Sequence, residues 1–121
     1  MIITGRDEAR LKQTQKECKN PKKVKYYVLD MDKPDHVFDW CTKKSEEIGT
    51  LDVLIHNAGL SMRDKLLNTE IEIGQKLLNV DFLSLFAMTK ALIGNMNTKD
   101  QGSVICAVGK FLFPIISSLN I

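Results

Sequence analysis

The residues that point most directly to chemistry form a short segment of small and polar side chains. Asn57-Ala58-Gly59 comes directly after the apolar run Leu51–Ile55. Small residues let a flat ligand approach the backbone, and an asparagine side chain can tie neighbouring strands together. Because ligands of doubly wound sheets bind just beyond the carboxyl ends of strands, the segment predicts part of a ligand site. An ordinary turn is the alternative interpretation.

The histidines and cysteines form no pattern typical of a metal site. Cys18, Cys41 and Cys106 are scattered, without a Cys-x-x-Cys pair, and predict reduced thiols. His56 follows an apolar strand, and we interpret it as a packed histidine rather than a catalyst. The net charge of +2, from 17 basic and 15 acidic side chains, gives no reason to expect nucleic-acid binding.

The elements that must position this segment alternate between apolar runs and amphipathic stretches. Strands are predicted at Met1–Thr4, Val24–Leu29, Leu51–Ile55 and Ser103–Ala107. The helices between them are predicted after the cap Asp7 to about Cys18, from Pro34 with Asp32 as the cap to Gly49, and from Glu70 to Met96. The β-α-β-α-β-α-β order predicts one α/β domain over residues 1–121, with a doubly wound parallel sheet.

The longest predicted helix has a clear start and a broad apolar surface. The spacing Thr-x-x-Glu from Thr69 is typical of a capping box. Apolar residues at three- and four-residue spacing are expected to form its core face: Leu78, Phe82, Leu85, Leu92 and Met96. With Leu77 and Phe86 the apolar arc is as wide as that of a helix buried on two sides.

The whole segment LDVLIHNAG, Leu51–Gly59, resembles the short-chain dehydrogenases/reductases, whose members read LDVLVNNAG at this place. His56 stands where the first asparagine is usual. The resemblance covers essentially the whole chain, through the segments ITGRDEARL, VLDMDKPDHV, VDFLSLFAMTKALI and QGSVI. It implies an α/β oxidoreductase that transfers hydride between NAD(P)(H) and a carbonyl or alcohol.

The resemblance also implies cofactor-binding residues. Arg6, at the turn after the family's second strand, implies NADP(H), because arginine can pair with a 2′-phosphate. Asp30 would lie near the adenine, and Asn57, Ala58 and Gly59 would belong to the same site. A surface arginine at position 6 and a turn or helix cap at position 30 are the alternatives.

Part of the family's phosphate-binding machinery has no match in these 121 residues. The glycine-rich TGxxxGxG loop does not fit the start of the chain, since Ala9 and Leu11 stand where the later glycines belong. The strand before that loop is central in the 3-2-1-4-5 strand order. We therefore expect a partial Rossmann-like sheet that resembles strands 2–5 of the family fold.

The catalytic positions implied by the resemblance are altered as well. The family's Asn position falls on Asp81 and its Tyr position on Leu119, while its Ser is either deleted or replaced by Gly109. Leucine cannot transfer a proton, and no Tyr-x-x-x-Lys follows. We interpret the chain as a truncated, catalytically incompetent derivative of an NADP(H)-dependent oxidoreductase. The alternative is a non-catalytic interaction module, or a partner in a homo- or heterodimer, that uses helix 70–96.

The subgroup that the chain resembles includes membrane-anchored, ER-associated members that act on steroids, retinoids or other carbonyls. Association with the ER membrane is therefore expected for relatives. In this chain no apolar run is long enough to span a bilayer, and the N-terminus lacks the features of a secretory signal. We expect no membrane segment here and a cytoplasmic location for the chain as given.

Overall fold

Strands and helices alternate along residues 1–62, 64–96 and 103–106, which are the residues that the structure, a computed structural model, describes. The strands are β1 (Ile2–Gly5), β2 (Lys25–Val28), β3 (Val53–His56) and β4 (Ser103–Cys106). The α-helices are α1 (Glu8–Glu17), α2 (Pro34–Ile48), α3 (Ile71–Leu78) and α4 (Ser84–Leu92). This order confirms the predicted alternation.

The strands pair in parallel, as two separate pairs. β1 pairs with β2, with Gly5 opposite Val28, and β3 pairs with β4, with His56 opposite Cys106. Within the described residues these are two two-stranded sheets rather than one. Such a break is expected when the central strand of a 3-2-1-4-5 order is missing. The predicted partial, doubly wound α/β fold is confirmed.

Helix α1 packs against β1 and begins at a helix cap that the sequence predicts. The Asp7 side chain caps the helix by accepting the Arg10 backbone N–H at 3.0 Å, as predicted. Leu11 is buried, and a Cβ placed on Gly5 would lie 3.4 Å from Leu11 Cδ2. The Leu11 side chain of α1 therefore packs directly on the end of β1 at Gly5.

Helix α2 begins and ends as predicted, but its cap differs. Pro34 occupies the first turn, and Gly49 ends the helix with a φ of +65°, a conformation that favours glycine. The predicted cap Asp32 is wrong: Lys33 is the capping residue and makes no side-chain cap bond. The Asp32 carboxylate is used elsewhere, since it accepts a hydrogen bond from Asn79 Nδ2 at 3.2 Å.

The core lies between α2 and α4. Val37 and Cys41 on α2 are fully buried, and Trp40 and Ile48 of the same helix are partly buried against the core. Burial raises the pKa of the Cys41 thiol to about 11, so this cysteine is a packed, protonated side chain at neutral pH. The buried cluster consists of Leu29, Val37, Cys41, Leu54, Ala87, Met88 and Leu92.

The long helix spans Ile71–Asn95 and contains a π-helical turn at Asn79–Leu83 that the sequence analysis did not predict. The predicted capping box is wrong as well. Glu70 is the capping residue and makes no side-chain bond, while the Thr69 hydroxyl donates to the Lys65 carbonyl at 3.1 Å. Thr69 thus closes the preceding turn and does not reach the first turn of the helix.

The π-helical turn changes which side chains face the core. Leu78 and Phe82, predicted to be core residues, are each 61% exposed. A π turn is wider than an α turn and shifts the residues after it around the helix axis, so one regular periodicity cannot describe both halves. The buried positions of this helix are Val80, Ser84, Ala87, Met88 and Leu92.

By length and composition alone, helix Ile71–Asn95 could cross a bilayer, with a mean hydropathy of 1.4 over its most apolar stretch. This differs from the expectation that no segment reaches that length. The same helix packs its small and apolar residues Ala87, Met88 and Leu92 into the core beside α2. Since core helices of folded domains also pass this test, length and composition alone are weak support for a membrane span.

Candidate functional site

The pairing of β1 with β2 brings two of the predicted site residues to one edge of the sheet. Gly5 lies opposite Val28, and the Leu29 N–H donates to the Gly5 carbonyl at 2.8 Å. Arg6 and Asp30 therefore follow the carboxyl ends of neighbouring parallel strands, and both are exposed. This is the side of a doubly wound sheet at which ligands bind.

A cavity of about 380 Å³ lies at the Arg6 end of this edge. Its lining combines two guanidinium groups with one carboxylate and one hydroxyl, from Gly5, Arg6, Asp7, Arg10, Leu11 and Thr14. Among the ion pairs of the described residues none involves Arg6. The Arg6 cation is thus available to an anionic ligand.

The Asp30 carboxylate has a local partner. Its Oδ1 accepts the Asp32 backbone N–H at 3.0 Å, which closes a turn directly after β2. The turn-capping role offered as the alternative for Asp30 is therefore present in the structure. Contact between Asp30 and a cofactor adenine stays a prediction.

The Asn57-Ala58-Gly59 loop is exposed, and the residue after it is hydrogen-bonded to the Asp81 carboxylate of the long helix. The Leu60 N–H, directly after the loop, donates to Asp81 Oδ1 at 2.8 Å. Asp81 thus accepts a bond in the position that the resemblance assigns to an asparagine. A carboxylate cannot donate as the amide can, so half of the amide's hydrogen-bonding capacity is lost.

The bulged segment of the long helix (residues 79–84) joins this loop to the loop after β2. Asn79 Nδ2 donates to the backbone and side-chain oxygens of Asp32 at 3.3 and 3.2 Å. The buried Ser84 hydroxyl donates to the Met31 carbonyl at 2.6 Å. With Asp81 bound to Leu60, one short segment holds both loops of the candidate site. π-helical turns occur often at functional sites, which fits this role.

Sequence reasoning missed Asn79 and Ser84. The available signal was their polarity within a mostly apolar stretch, LLNVDFLSLF, in which Asp81 is the other polar residue. Their partners lie 47 and 53 residues away along the chain, so no local pattern identifies the contacts. Gly109, one of the two alternatives for the family's Ser position, and Leu119, predicted at its Tyr position, lie outside the described residues.

His56, at the end of β3, is 3% exposed, and its Nε2 lies 2.7 Å from the Thr89 hydroxyl. Burial lowers the pKa of His56 below its ordinary value. A neutral imidazole bonded to a threonine suits the interpretation of a packed histidine. Over the part of the chain that the structure describes, no three His, Cys, Asp or Glu residues are placed to bind a metal ion.

The His56 pKa has a consequence for stability against pH. As the pH falls below about 6.5, the unfolded chain binds a proton at this residue before the folded chain does, so the free energy of unfolding decreases. His56→Asn is expected to remove this slope between neutral pH and the folded-state pKa of His56. The check is urea unfolding at a series of pH values. His36→Asn, at an exposed position on α2, is the matched control and should keep the slope.

The comparison with known families identifies the class. The sequence model of the family described as short chain dehydrogenase matches residues 1–109 of this chain. The match includes the four described strands, the end of β1 that is followed by Arg6, and the bulged segment. The chain therefore belongs to the short-chain dehydrogenase/reductase family.

Particular relatives agree with this assignment. Dehydrogenase/reductase SDR family member 7B from Xenopus laevis is 27% identical over 130 residues, covering 99% of this chain and 40% of the relative. The human dehydrogenase/reductase SDR family member 7 is 24% identical, covering 87% of this chain and 32% of the relative. The chain thus spans less than half the length of these curated relatives.

Solved structures show the same fold. A short-chain dehydrogenase from Streptomyces avermitilis superposes with a TM-score of 0.74 at 22% identity, covering 87% of this chain and 38% of that protein. ElxO with NADP bound superposes with a TM-score of 0.71 at 25% identity, covering 87% of this chain and 43% of that protein. Both matches support a Rossmann-like α/β arrangement for this chain.

Proposed function

We propose that this chain carries the adenosine-phosphate end of an NADP(H) site from the carbonyl and alcohol oxidoreductases of its family, and that the 121-residue polypeptide does not itself transfer hydride. The single observation that carries the proposal is the cavity at the carboxyl end of β1, which is lined by Arg6, a residue that forms no ion pair within the part of the chain that the structure describes. Arginine recognises phosphate through charge-assisted hydrogen bonds. The likeness to NADP-bound ElxO supports the choice of cofactor.

The residues present fit the adenosine 2′-phosphate end of NADP(H) better than they fit its diphosphate. Arg6 would hold the 2′-phosphate, and Asp30 lies at the same edge of the sheet beside β2. The family's glycine-rich loop, whose backbone N–H groups hold a diphosphate at a helix N-terminus, has no match in these residues. We therefore expect weak binding that depends on the 2′-phosphate.

The function that these residues lack is proton transfer to or from the substrate, not the supply of hydride. The family uses a tyrosine as general acid/base beside a lysine four residues later, and NADP(H) would supply the hydride. The sequence has two tyrosines, Tyr26 and Tyr27, both in β2 and followed at that spacing by Asp30 and Met31. The Tyr27 hydroxyl donates to Glu47, which raises the pKa of that phenol. Neither tyrosine is arranged as a proton donor of the family's kind.

The test has two arms, both using the 121-residue chain. Titration with adenosine 2′,5′-bisphosphate, followed by NMR, is expected to give a Kd on the order of millimolar, and adenosine 5′-monophosphate is expected to bind more weakly. Incubation with NADPH and a panel of aldehydes and ketones is expected to leave the absorbance at 340 nm unchanged. Equal binding of the two nucleotides would contradict the role of Arg6. A loss of absorbance at 340 nm that depends on the 121-residue chain would refute the proposal that the chain is non-catalytic.

A second candidate function, dimerisation through the long helix, is favoured by its exposed apolar surface. The exposed large side chains of Ile71–Asn95 include Leu78, Phe82, Phe86 and Ile93. Exposed apolar patches often mark interaction sites in folded proteins. Sedimentation velocity over a range of protein concentrations decides between a self-associating and a monomeric chain.

A further inference from the structure

Arg10, on the first turn of α1, lines the same cavity as Arg6. Sequence reasoning did not single it out, because the family resemblance assigns no role to this position. Its side chain is 87% exposed. Thr14 follows four residues later on the same helix face and adds a hydroxyl to the lining. The cavity therefore offers two guanidinium groups and a neutral donor to one ligand.

Asp7 is the one acidic residue of this lining, and it already contacts Arg10. One oxygen, Oδ1, accepts the Arg10 backbone N–H at 3.0 Å and caps α1. The other, Oδ2, lies 3.6 Å from Arg10 Nε. A ligand phosphate must therefore compete with this carboxylate for the Arg10 guanidinium, whereas Arg6 has no such rival among the described ion pairs.

We propose that Arg10 is a second phosphate-binding arginine of this cavity and that Asp7 is a built-in competitor that limits its contribution. The inference rests on the proposed function and extends it to how strongly the cavity prefers NADP(H) over NAD(H). A phosphate monoester, as in NADP(H), can draw Arg10 away from Asp7 because it carries more negative charge than one carboxylate. A ribose hydroxyl, as in NAD(H), carries no charge and leaves the Arg10–Asp7 pair in place. The Asp7–Arg10 pair thus sets how strongly the 2′-phosphate is preferred.

The charge of Asp7 can be removed without removing its capping function. Asparagine caps helices about as well as aspartate, so Asp7→Asn keeps the bond to the Arg10 backbone N–H. It is expected to tighten binding of adenosine 2′,5′-bisphosphate about threefold, a size typical of exposed charge pairs. Arg10→Gln is expected to weaken binding of the same nucleotide by about threefold to fivefold. Binding of adenosine 5′-monophosphate should change little in either variant.

The double variant tests whether Asp7 acts through Arg10. In the Arg10→Gln background, Asp7→Asn is expected to lose most of its threefold effect, because the pair that it disrupts no longer exists. Asp35→Asn is the matched control, since Asp35 lies in the first turn of α2 and the substitution changes the net charge equally. It should leave the affinity unchanged, which separates a local contact from general electrostatic attraction.

The outcomes distinguish this inference from the proposed function. If neither the wild type nor Asp7→Asn prefers the 2′,5′-bisphosphate over the 5′-monophosphate, both proposals fail. If the wild type shows the preference and loses it in Arg6→Gln, but Arg10→Gln binds normally, only the role of Arg10 fails. An Asp7→Asn gain that persists in the Arg10→Gln background overturns the competition. Far-UV circular dichroism of each variant confirms that α1 is retained.

Discussion

Leu92→Ala is expected to lower the free energy of unfolding by about 2–5 kcal/mol, the range for truncating a buried leucine. Leu92 is 4% exposed and belongs to the core cluster that contains Val37 and Cys41 of α2. Truncation removes three carbon atoms from the cluster that joins the two helices and leaves a cavity there. A domain of this length has a total stability of only 5–15 kcal/mol, so much of it would be lost. Urea unfolding followed by far-UV circular dichroism measures the change.

Leu78→Ala is the matched control on the same long helix. The chemical change is identical, but Leu78 is 61% exposed, so the expected loss is about 0.5 kcal/mol or less. The uninterrupted helical periodicity inferred from the sequence placed both leucines in the core. Equal losses of stability in the two variants would support that earlier prediction and contradict the observed burial.

Features determined by neighbouring residues could be predicted from the sequence. The Asp7 cap, Pro34 in the first turn of α2 and the left-handed Gly49 depend on contacts or backbone preferences within a few residues. The alternation of strands and helices follows from equally local patterns. The break between the two strand pairs required one more premise, namely the strand order of the family that the chain resembles.

Contacts between distant segments could not be predicted in the same way. Asp32 was expected to cap the helix that follows it, yet its carboxylate binds Asn79, 47 residues away. The π-helical turn at Asn79–Leu83 carries two such distant contacts, from Asn79 to Asp32 and from Leu60 to Asp81, which helix propensity does not encode. The capping box predicted that the Thr69 hydroxyl accepts a helix N–H, but in the structure this hydroxyl donates to the Lys65 carbonyl instead. In each case a polar side chain had more than one attainable partner, and the packing of the chain selected one.

In the candidate site, too, the local features could be predicted from the sequence and the contacts between distant segments could not. The position of Asn57-Ala58-Gly59 at the end of a strand, and of Arg6 at the end of another, followed from the strand pattern. The elements that hold these positions did not follow from it. Asp81 was identified by family position, but its bond to Leu60 is a product of the fold. Arg10 was passed over because only the structure shows that it shares a cavity with Arg6.

Ser84→Val is expected to cost about 2–6 kcal/mol of stability, because it removes a buried hydrogen bond and adds volume at a filled position. The Ser84 side chain is fully buried, and its hydroxyl is 2.6 Å from the Met31 carbonyl. Loss of the hydroxyl leaves that carbonyl without this donor, which costs about 1–3 kcal/mol. The branched side chain must also be accommodated beside α2, at a cost of about 1–3 kcal/mol. Chemical unfolding gives the total.

Two further variants separate these contributions and test the link between the loops. Ser84→Ala removes the hydrogen bond without adding volume and should lose only the hydrogen-bond part, about 1–3 kcal/mol. Ser45→Val is the control, because among the described residues the Ser45 hydroxyl bonds only to the Thr42 carbonyl of its own helix. In Ser84→Val, NMR amide signals should shift around Met31 after β2 and also at Leu60, since the bulged segment holds both loops. Shifts confined to the Met31 side would show that the bulged segment does not couple the two halves of the site. A stability within about 1 kcal/mol of the wild type would contradict the expected cost of Ser84→Val.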